Sequence, residues 1–486
     1  MSFESDLLKL RLKINAPMDE KKFFALEIRE WENSKARMEM LDGERYYSGD
    51  HDILKRIRTA IGNDGKPEEV KHLPNTRLVD NLYAKHVDQK KNYLLGKPVT
   101  FESKNKEYAA KVSKILGRKF MRTLKNAGLA ALNTGIAWLY PYYDDNELKW
   151  RLFSGSEILP FWRDEAHTEI DCAVRLYDVE EYVGTEKKVV RKAEIFTSDG
   201  IYTYTYENGT LIPDEGSSYH PYIETVNTEG SAEGYNWEKI PLIPIKYNAK
   251  EIPLIRRARS LQDAINLLRS DFANNMQENK YNTILVVKNY DGTDPGEFRH
   301  NLLTYGMVKI RTTDGVDGGV DTLAIEVNAE NYKTVLDMLK TALIENMRSF
   351  DGKDERLNGS PNQMNIQSMY SDIDLDANDT ETELQAAFEE ILWFVNQYLA
   401  NSGQGDYDGE EINVIFNRDV LINEGEAIDN CQKSAGLISD ETIVSQHPWV
   451  NDPAGELERL KKQKEEEQQY NPFPSQSVKD GEDNEE

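Results

Sequence analysis

The sequence predicts an α+β fold: a helical N-terminal part, an antiparallel meander, then long helices around a small β insert. Three observations carry this. Between Ile136 and Tyr247 the apolar spacing changes from helical to every second residue. Within that block, Asp199-Gly200 and Asn208-Gly209 accept the positive φ that tight hairpins need. From Leu254 onward, apolar residues again recur at steps of three and four.

Composition narrows the class. The chain has 486 residues, 39% hydrophobic and 10% aromatic, enough for a packed core and for about two to four units. A formal charge of -27 and a pI near 4.8 argue against a sequence-specific nucleic-acid binder, which needs a basic face to neutralise phosphates. An acidic surface past which a polyanion slides without sticking stays compatible. Cys172 and Cys431 stand far apart and outside any C-x-x-C pairing. That excludes a disulfide scaffold and a thiolate zinc site. The start lacks the apolar segment of a signal peptide. No uninterrupted apolar run of about 18 residues occurs, so no bilayer span and no membrane partner are expected. The sequons at Asn208, Asn358 and Asn378 then read as chance matches.

Residues 1–61 read as charged helices anchored by Phe23, Phe24, Leu26, Ile28 and Trp31. Ile61 to Pro74, with Gly62, Gly65 and Pro67, reads as a loop. The stripe Leu78, Leu82, Ala84, Val87, Tyr93 and Leu94 predicts a helix over Thr76–Leu95, stopped by Gly96 and Pro98. Val99–Glu102 is a short strand, followed by helices over Lys104–Leu116 and Phe120–Asn133. Strands are expected over Ile136–Tyr143, Leu148–Phe153, Ile170–Tyr177, Val189–Phe196, Ile201–Tyr206 and Leu242–Tyr247.

The next helix carries Leu254, Ala258, Leu261, Ile265, Leu268 and Phe272. Their spacing is a seam of about 3.5 residues, typical of helices that cross at shallow angles. Asp263, Asn266, Arg269 and Asp271 lie off it. Ile284–Val287, Met307–Ile310 and Val320–Val327 are strand-like and make a small β insert. The returning helix, Ala329–Phe350, sets Leu336, Leu339, Leu343, Met347 and Phe350 on one face over about 33 Å. Asp351–Asn362 (DGKDERLNGSPN) breaks it as a polar loop expected to be mobile. A third long helix is expected from about Thr380 to Asn401, then a strand over Glu411–Phe416. The remainder reads as helical, with Asp452-Pro453 as cap and first helical residue. Ser475–Glu486 is an acidic tail expected to be disordered.

No catalytic pattern accompanies these elements. P-loop, nucleophile-elbow, H-E-x-x-H and dinucleotide motifs are absent, and Gly62–Pro67 misses the P-loop spacing and hydroxyl. The seven histidines are scattered, so His86 and His167 read as surface or core residues. No cofactor is expected, and no catalytic residue is assigned. Asp372, Asp374, Asp376, Asn378, Thr380 and Glu383 fall at positions 1, 3, 5, 7, 9 and 12 of a calcium-loop pattern. Ala377 stands where the sharp turn wants glycine. The competing reading makes Thr380 and Glu383 a capping box at the start of the third long helix, and it is preferred. Three basic groups, Lys85/Lys90/Lys91, Arg256/Arg257/Arg259 and Lys353/Arg356, read as solvated faces or intersubunit ion pairs. The last pair is interleaved with Asp351, Asp354 and Glu355, so that loop is too balanced in charge to hold a polyanion.

Several segments are similar to a known family. Asn75–Ala84 (NTRLVDNLYA) followed by Tyr93–Val99 (YLLGKPV) resembles the N-terminal signature of tailed-bacteriophage portal proteins, of the type found in long-tailed phages of Gram-positive hosts. Ile243–Asn248, Arg259–Asn266, Ser270–Asn274, Met369–Ala377, Glu383–Phe388 and Glu441–Arg459 resemble later parts of the same family in the same order. The resemblance implies a virion protein: a ring of about twelve subunits at one capsid vertex, assembled in the host cytoplasm, with a channel for double-stranded DNA. It implies a portal-like protomer with these parts: N-terminal helices and an α/β wing (1–253), stem helices (254–281 and 329–350) and a small β-containing clip (282–328). A tunnel loop (351–362), a long helix with a wing strand (363–423), a helical crown (424–469) and the acidic tail (470–486) complete it. Stem packing would use Leu261, Ile265, Leu268, Phe272, Leu336, Leu339 and Leu343. The tunnel loop would present Asp351, Lys353, Asp354, Glu355, Arg356 and Asn358 to DNA. Implied partners are the terminase large subunit, whose ATPase drives packaging, a head-completion adaptor, and scaffold and major capsid proteins. The alternatives are another structural virion protein, such as a capsid or baseplate component, and an acidic hydrolase.

Overall fold

The computed structural model describes residues 19–61, 65–71, 73–214, 218–226, 231–278, 284–288, 294, 296, 300, 319–323, 329–352, 363–418, 424–450 and 453–470. The chain divides into two compact units, Met1–Ser349 with Asp372–Asp419, and Phe350–Ser371 with Val420–Glu486. Helix and sheet are both abundant, as an α+β fold requires.

In the larger unit, α1 (Glu20–Glu32) and α2 (Lys35–Ser48) come first. Ser34 caps α2 by accepting from the Arg37 N–H at 3.2 Å. A short hairpin follows, β1 (Thr59–Ile61) with β2 (Pro67–Glu69), where the glycines and proline had predicted loop alone. Residues 74–81 are extended, and α3 spans Leu82–Leu95 with Asn81 as its cap. The expected helix over Thr76–Leu95 therefore starts six residues late. Next come β3 (Thr100–Glu102), α4 (Lys106–Ile115) and α5 (Arg118–Thr134).

Five of the strands predicted by alternation follow, with two that it missed. The predicted ones are β4 (Ile136–Asp144), β5 (Glu147–Phe153), β7 (Ile170–Val183), β8 (Glu186–Thr197) and β9 (Gly200–Glu207); β6 (Ile158–Trp162) and β10 (Thr210–Pro213) were not expected. Short strands β11 (Tyr219–His220), β12 (Ile223–Val226) and β13 (Ala232–Tyr235) precede β14 (Ile243–Lys246). The largest sheet runs β10-β9-β8-β7-β6, with β11 also on β9, and every described pairing in it is antiparallel. At its hairpins Gly200, Asn208 and Gly209 take positive φ, as their dipeptides predicted. One face of this sheet is covered by α1: Phe23, Phe24, Ala25 and Ile28 pack on Phe161, Val174, Ile195 and Tyr204. A second sheet, β14-β4-β5, packs on α5 around the fully buried Trp138 and Leu139.

Helices α6 (Ile255–Glu278) and α7 (Ala329–Asn346) flank the β insert, where β15 (Ile284–Lys288) pairs antiparallel with β16 (Gly319–Leu323). The expected strand over Met307–Ile310 lies outside the described residues. Helix α7 ends four residues short of Phe350 because Arg348 adopts a left-handed φ of 48°, and the Ser349 N–H then closes on the Ile344 carbonyl at 3.0 Å. Helix α8 runs unbroken from Gln363 to Asn401 and starts well before the expected Thr380. Strand β17 (Asn413–Ile415) pairs with β3. Phe388 on α8 sits at the centre of this region, edge-on to Phe101, Phe120 and Phe416 at 5.8–6.2 Å.

Two glycines set close backbone approaches. A Cβ on Gly43 would lie 1.9 Å from the Asn133 carbonyl, so α2 meets the end of α5 backbone to backbone. Gly135, at φ +83°, lets the segment entering α6 pass over it: a Cβ there would meet the Glu251 carbonyl at 2.1 Å.

In the smaller unit, Phe350 packs its ring on Tyr370 at 4.4 Å. Its other helices are α9 (Glu424–Ser434), α10 (Asp440–Gln446) and α11 (Pro453–Tyr470). Pro453 opens α11, as expected, while its proposed cap Asp452 lies outside the described residues.

Candidate functional site

The hairpin of α6 and α7 is the segment to which the sequence pointed. Phe272 meets Tyr332 ring to ring at 5.1 Å, and the Asn275 amide donates to the Tyr332 hydroxyl at 3.1 Å. The apolar seam is only partly interior. Leu254, Ala258, Ile265, Leu343 and Met347 are fully buried, but Leu261, Leu268, Phe272, Leu336 and Leu339 remain half-exposed. Leu268, Phe272, Ala273, Tyr332, Leu336 and Leu78 line an open groove of about 370 Å³, rimmed by Arg269 and Lys333.

The most buried side of α6 beyond Ile265 is polar. Gln262, Asn266, Ser270 and Asn274 stand four residues apart and are at most 1% exposed. Three accept a hydrogen bond from the extended segment beside them, and Gln262 accepts one from the first turn of α3. The N–H of Thr76 donates to Asn274 Oδ1 at 2.7 Å, and that of Leu78 to Ser270 Oγ at 3.0 Å. The N–H of Asp80 donates to Asn266 Oδ1 at 2.9 Å, and that of Tyr83 to Gln262 Oε1 at 3.0 Å. Residues 76–81 are therefore not helical: their alternate N–H groups are already paired, with side chains acting as a sheet edge. This row explains why Asn266, expected to lie off the packing seam, is fully buried. The signal was present as Gln-x3-Asn-x3-Ser-x3-Asn, but hydrophobic periodicity does not read it.

A charged network joins this row to α2. Arg259 pairs with Asp42 and, at 2.8 Å, with Asp52; Arg45 reaches Asp42 at 2.7 Å and Asp52 at 2.8 Å. Burial pushes the Asp52 carboxyl up, but hydrogen bonds from Arg259 and Arg45 outweigh it and hold the pKa down at about 2. The Tyr46 hydroxyl donates to Asp263 at 2.6 Å. His51 is fully buried: Nε2 lies 3.0 Å from the Tyr46 carbonyl and Nδ1 lies 2.8 Å from Asn266 Nδ2. That pattern assigns the Nε2–H tautomer, with Nδ1 accepting from Asn266.

Burial lowers the His51 pKa below its ordinary 6.5. A second proton would set an Nδ1–H against the Asn266 amide donor. The folded state binds fewer protons than the unfolded one in this range, so stability is lost as pH falls below 6.5 toward the lowered value. The urea midpoint should decline between pH 7 and pH 5. It should decline less in His51→Gln, whose amide offers the same donor and acceptor without titrating.

The acidic run on α8 is not a metal loop. Residues two apart on a helix point to nearly opposite sides, so Asp372, Asp374 and Asp376 cannot converge on one cation. The preferred capping box is also overturned. Thr380 lies inside α8, and its hydroxyl bonds the Asp376 carbonyl at 2.9 Å and the Tyr247 carbonyl at 3.1 Å. Among the described residues, no group of three or more His, Cys, Asp or Glu side chains is placed to hold a metal ion.

The carboxylates serve internal cations. Asp376 is 7% exposed; it pairs with Lys90 Nζ at 2.8 Å and accepts from the Tyr247 hydroxyl at 2.8 Å. Arg257 and Arg348 stand 3.6 and 3.9 Å away. Lys90 also donates to the Arg348 carbonyl at 2.9 Å. Its burial lowers the ammonium pKa, and Asp376 opposes that shift. Asp374 is held by Tyr93 and by Arg418 at 3.0 Å, and Arg418 also reaches Glu381 at 2.7 Å. Two of the expected basic clusters thus pair largely within the chain: Lys90 with Asp376, Lys91 with Asp88, Arg256 with Glu39 and Arg259 with Asp42. Lys353, Asp354, Glu355, Arg356 and Asn358 lie outside the described residues. His86 is buried, and His167 stacks on Trp162 at 4.9 Å and bonds Glu251 at 2.9 Å.

The sequence comparisons agree with one another. The portal protein of Bacillus phage SPP1 is 29% identical over 428 residues, covering 87% of this chain and 83% of that protein. The portal protein of Clostridium phage phiCD119 is 26% identical over 437 residues, covering 87% of this chain and 92% of the relative. A solved chain from the virion of a native gene transfer agent particle aligns with a TM-score of 0.35 at 13% identity, covering 74% of this chain and 87% of that one. That likeness is too slight to carry an argument. The model of one family, described as phage portal protein, SPP1 Gp6-like, matches residues 27–470. Because that match takes in the end of α1, the sheets, the α6/α7 hairpin, α8 and the C-terminal helices together, the chain belongs to the SPP1 Gp6-like family of phage portal proteins.

Proposed function

We propose that this chain forms an oligomeric portal ring of about twelve subunits at one capsid vertex, through which double-stranded DNA is packaged, retained and ejected. The observation that carries the reading is the family match across residues 27–470. The half-exposed faces of α6 and α7 support it, because an isolated protomer leaves them uncovered. In this reading α6 and α7 are the stem, the β15–β16 insert belongs to the clip, Asp351–Asn362 is the tunnel loop and α9–α11 form the crown. The clip docks the terminase and then the head-completion adaptor, and scaffold and major capsid proteins surround the ring. The chain carries no catalysis of its own; ATP hydrolysis belongs to the terminase. A net charge of -27 suits a conduit, since a negative wall repels phosphates and lets DNA move without being gripped.

Electron microscopy and native mass measurement of the purified protein test this: closed rings with an axial hole support it, and a permanent monomer overturns it. Deleting Lys353–Asn358 is expected to leave ring formation unchanged while particles lose packaged DNA, scored by genome content per capsid. Full genomes retained after that deletion would refute the tunnel-loop assignment.

A further inference from the structure

The α6/α7 hairpin has two unlike faces. The Phe272 ring packs tilted against Tyr332, and Leu268 shares a groove with Leu336, so the helices run antiparallel. At about 100° per residue, positions directly after these contact residues turn to one side of the hairpin, and positions directly before them turn to the other. Arg269, Ala273 and Lys333 are the following positions, and they line the groove of about 370 Å³. Leu267, Val335 and Met338 are preceding positions, with Met338 next to Leu339. They are 42%, 44% and 66% exposed, an apolar ridge open to solvent among the described residues.

A ridge and a groove on opposite faces of one element are what a heterologous, ring-closing contact needs; a two-fold contact would put both on one face. We propose that the Leu267–Val335–Met338 ridge of one subunit seats in the Leu268–Phe272–Leu336 groove of the next. The occupant is a second copy of this chain. The inference rests on the portal reading above and assigns the side-by-side contact within that ring. At the groove rim the Arg269 guanidinium pairs with Asp80 at 3.1 Å, while Lys333 is exposed and keeps its charge in water.

Two independent variants test it. Val335→Lys with Met338→Lys should leave far-UV dichroism and the melting temperature of the protomer unchanged, since both side chains are exposed, and should abolish rings in native mass spectrometry. Separately, Ala273→Cys with Met338→Cys in a Cys431→Ser chain should give a ladder of covalent multimers on oxidation. Those two positions lie on opposite faces of one hairpin and cannot bridge within a subunit. The pair Met338→Cys with Leu26→Cys, the latter on the solvent side of α1, should give no ladder. Wild-type rings that survive the double lysine change, or rings that yield no ladder from the 273/338 pair, overturn the ridge-in-groove contact and leave the portal reading standing. Wild-type protein that forms no ring at all overturns both.

Discussion

Asp376→Ala should lower stability by about 3–5 kcal/mol, the usual cost of removing one partner from a buried ion pair. The side chains of Lys90 and Asp376 are only 4% and 7% exposed, so water cannot replace the lost carboxylate. The substitution strands the Lys90 ammonium and takes the acceptor from the buried Tyr247 hydroxyl at once. Lys90→Met should cost less, because Asp376 keeps Tyr247 at 2.8 Å and has Arg257 and Arg348 at 3.6 and 3.9 Å. Urea unfolding followed by tryptophan fluorescence orders the two variants. A Lys90→Met protein less stable than Asp376→Ala would show that Asp376 is not the hub of the pair.

Asn266→Leu should cost about 2–6 kcal/mol, though it keeps a side chain of similar size. It leaves the Asp80 N–H and His51 Nδ1 buried without partners, at about 1–3 kcal/mol each. The loss should be local first. Amide exchange at Thr76, Leu78 and Asp80 should accelerate while that of β7 and β8 stays slow. Uniform acceleration across the protein would mean that the extended segment has no opening of its own.

The sheet was legible because β7 and β8 alternate apolar and polar residues, and Asp199-Gly200 and Asn208-Gly209 mark the β8–β9 and β9–β10 turns in only two residues each. The helical hairpin was legible from its seam. The extended segment at 74–81 was not, because Leu78, Leu82 and Ala84 imitate helical spacing. The groups that hold it extended lie nearly two hundred residues further along the chain. The start of α8 was misplaced for a related reason. A carboxylate run before an apolar stretch looks like a helix cap, and only the fold brings Lys90, Tyr247 and Arg418 to neutralise it inside the helix. Family resemblance reached further than periodicity here, since portal membership was readable from segment order while most pairing partners were not.

The row of amides and hydroxyls on α6 also behaves as a vernier. Four helical residues advance about 6 Å, whereas two extended residues advance about 6.6 Å. The two scales drift apart with each rung, and the last bond comes from the Tyr83 N–H in the first turn of α3, where the extended run has ended. Such a scale engages at one setting. Axial creep of α6 against residues 76–83 would break all four bonds together, so any sliding there must come as a discrete jump of about one rung, near 6 Å.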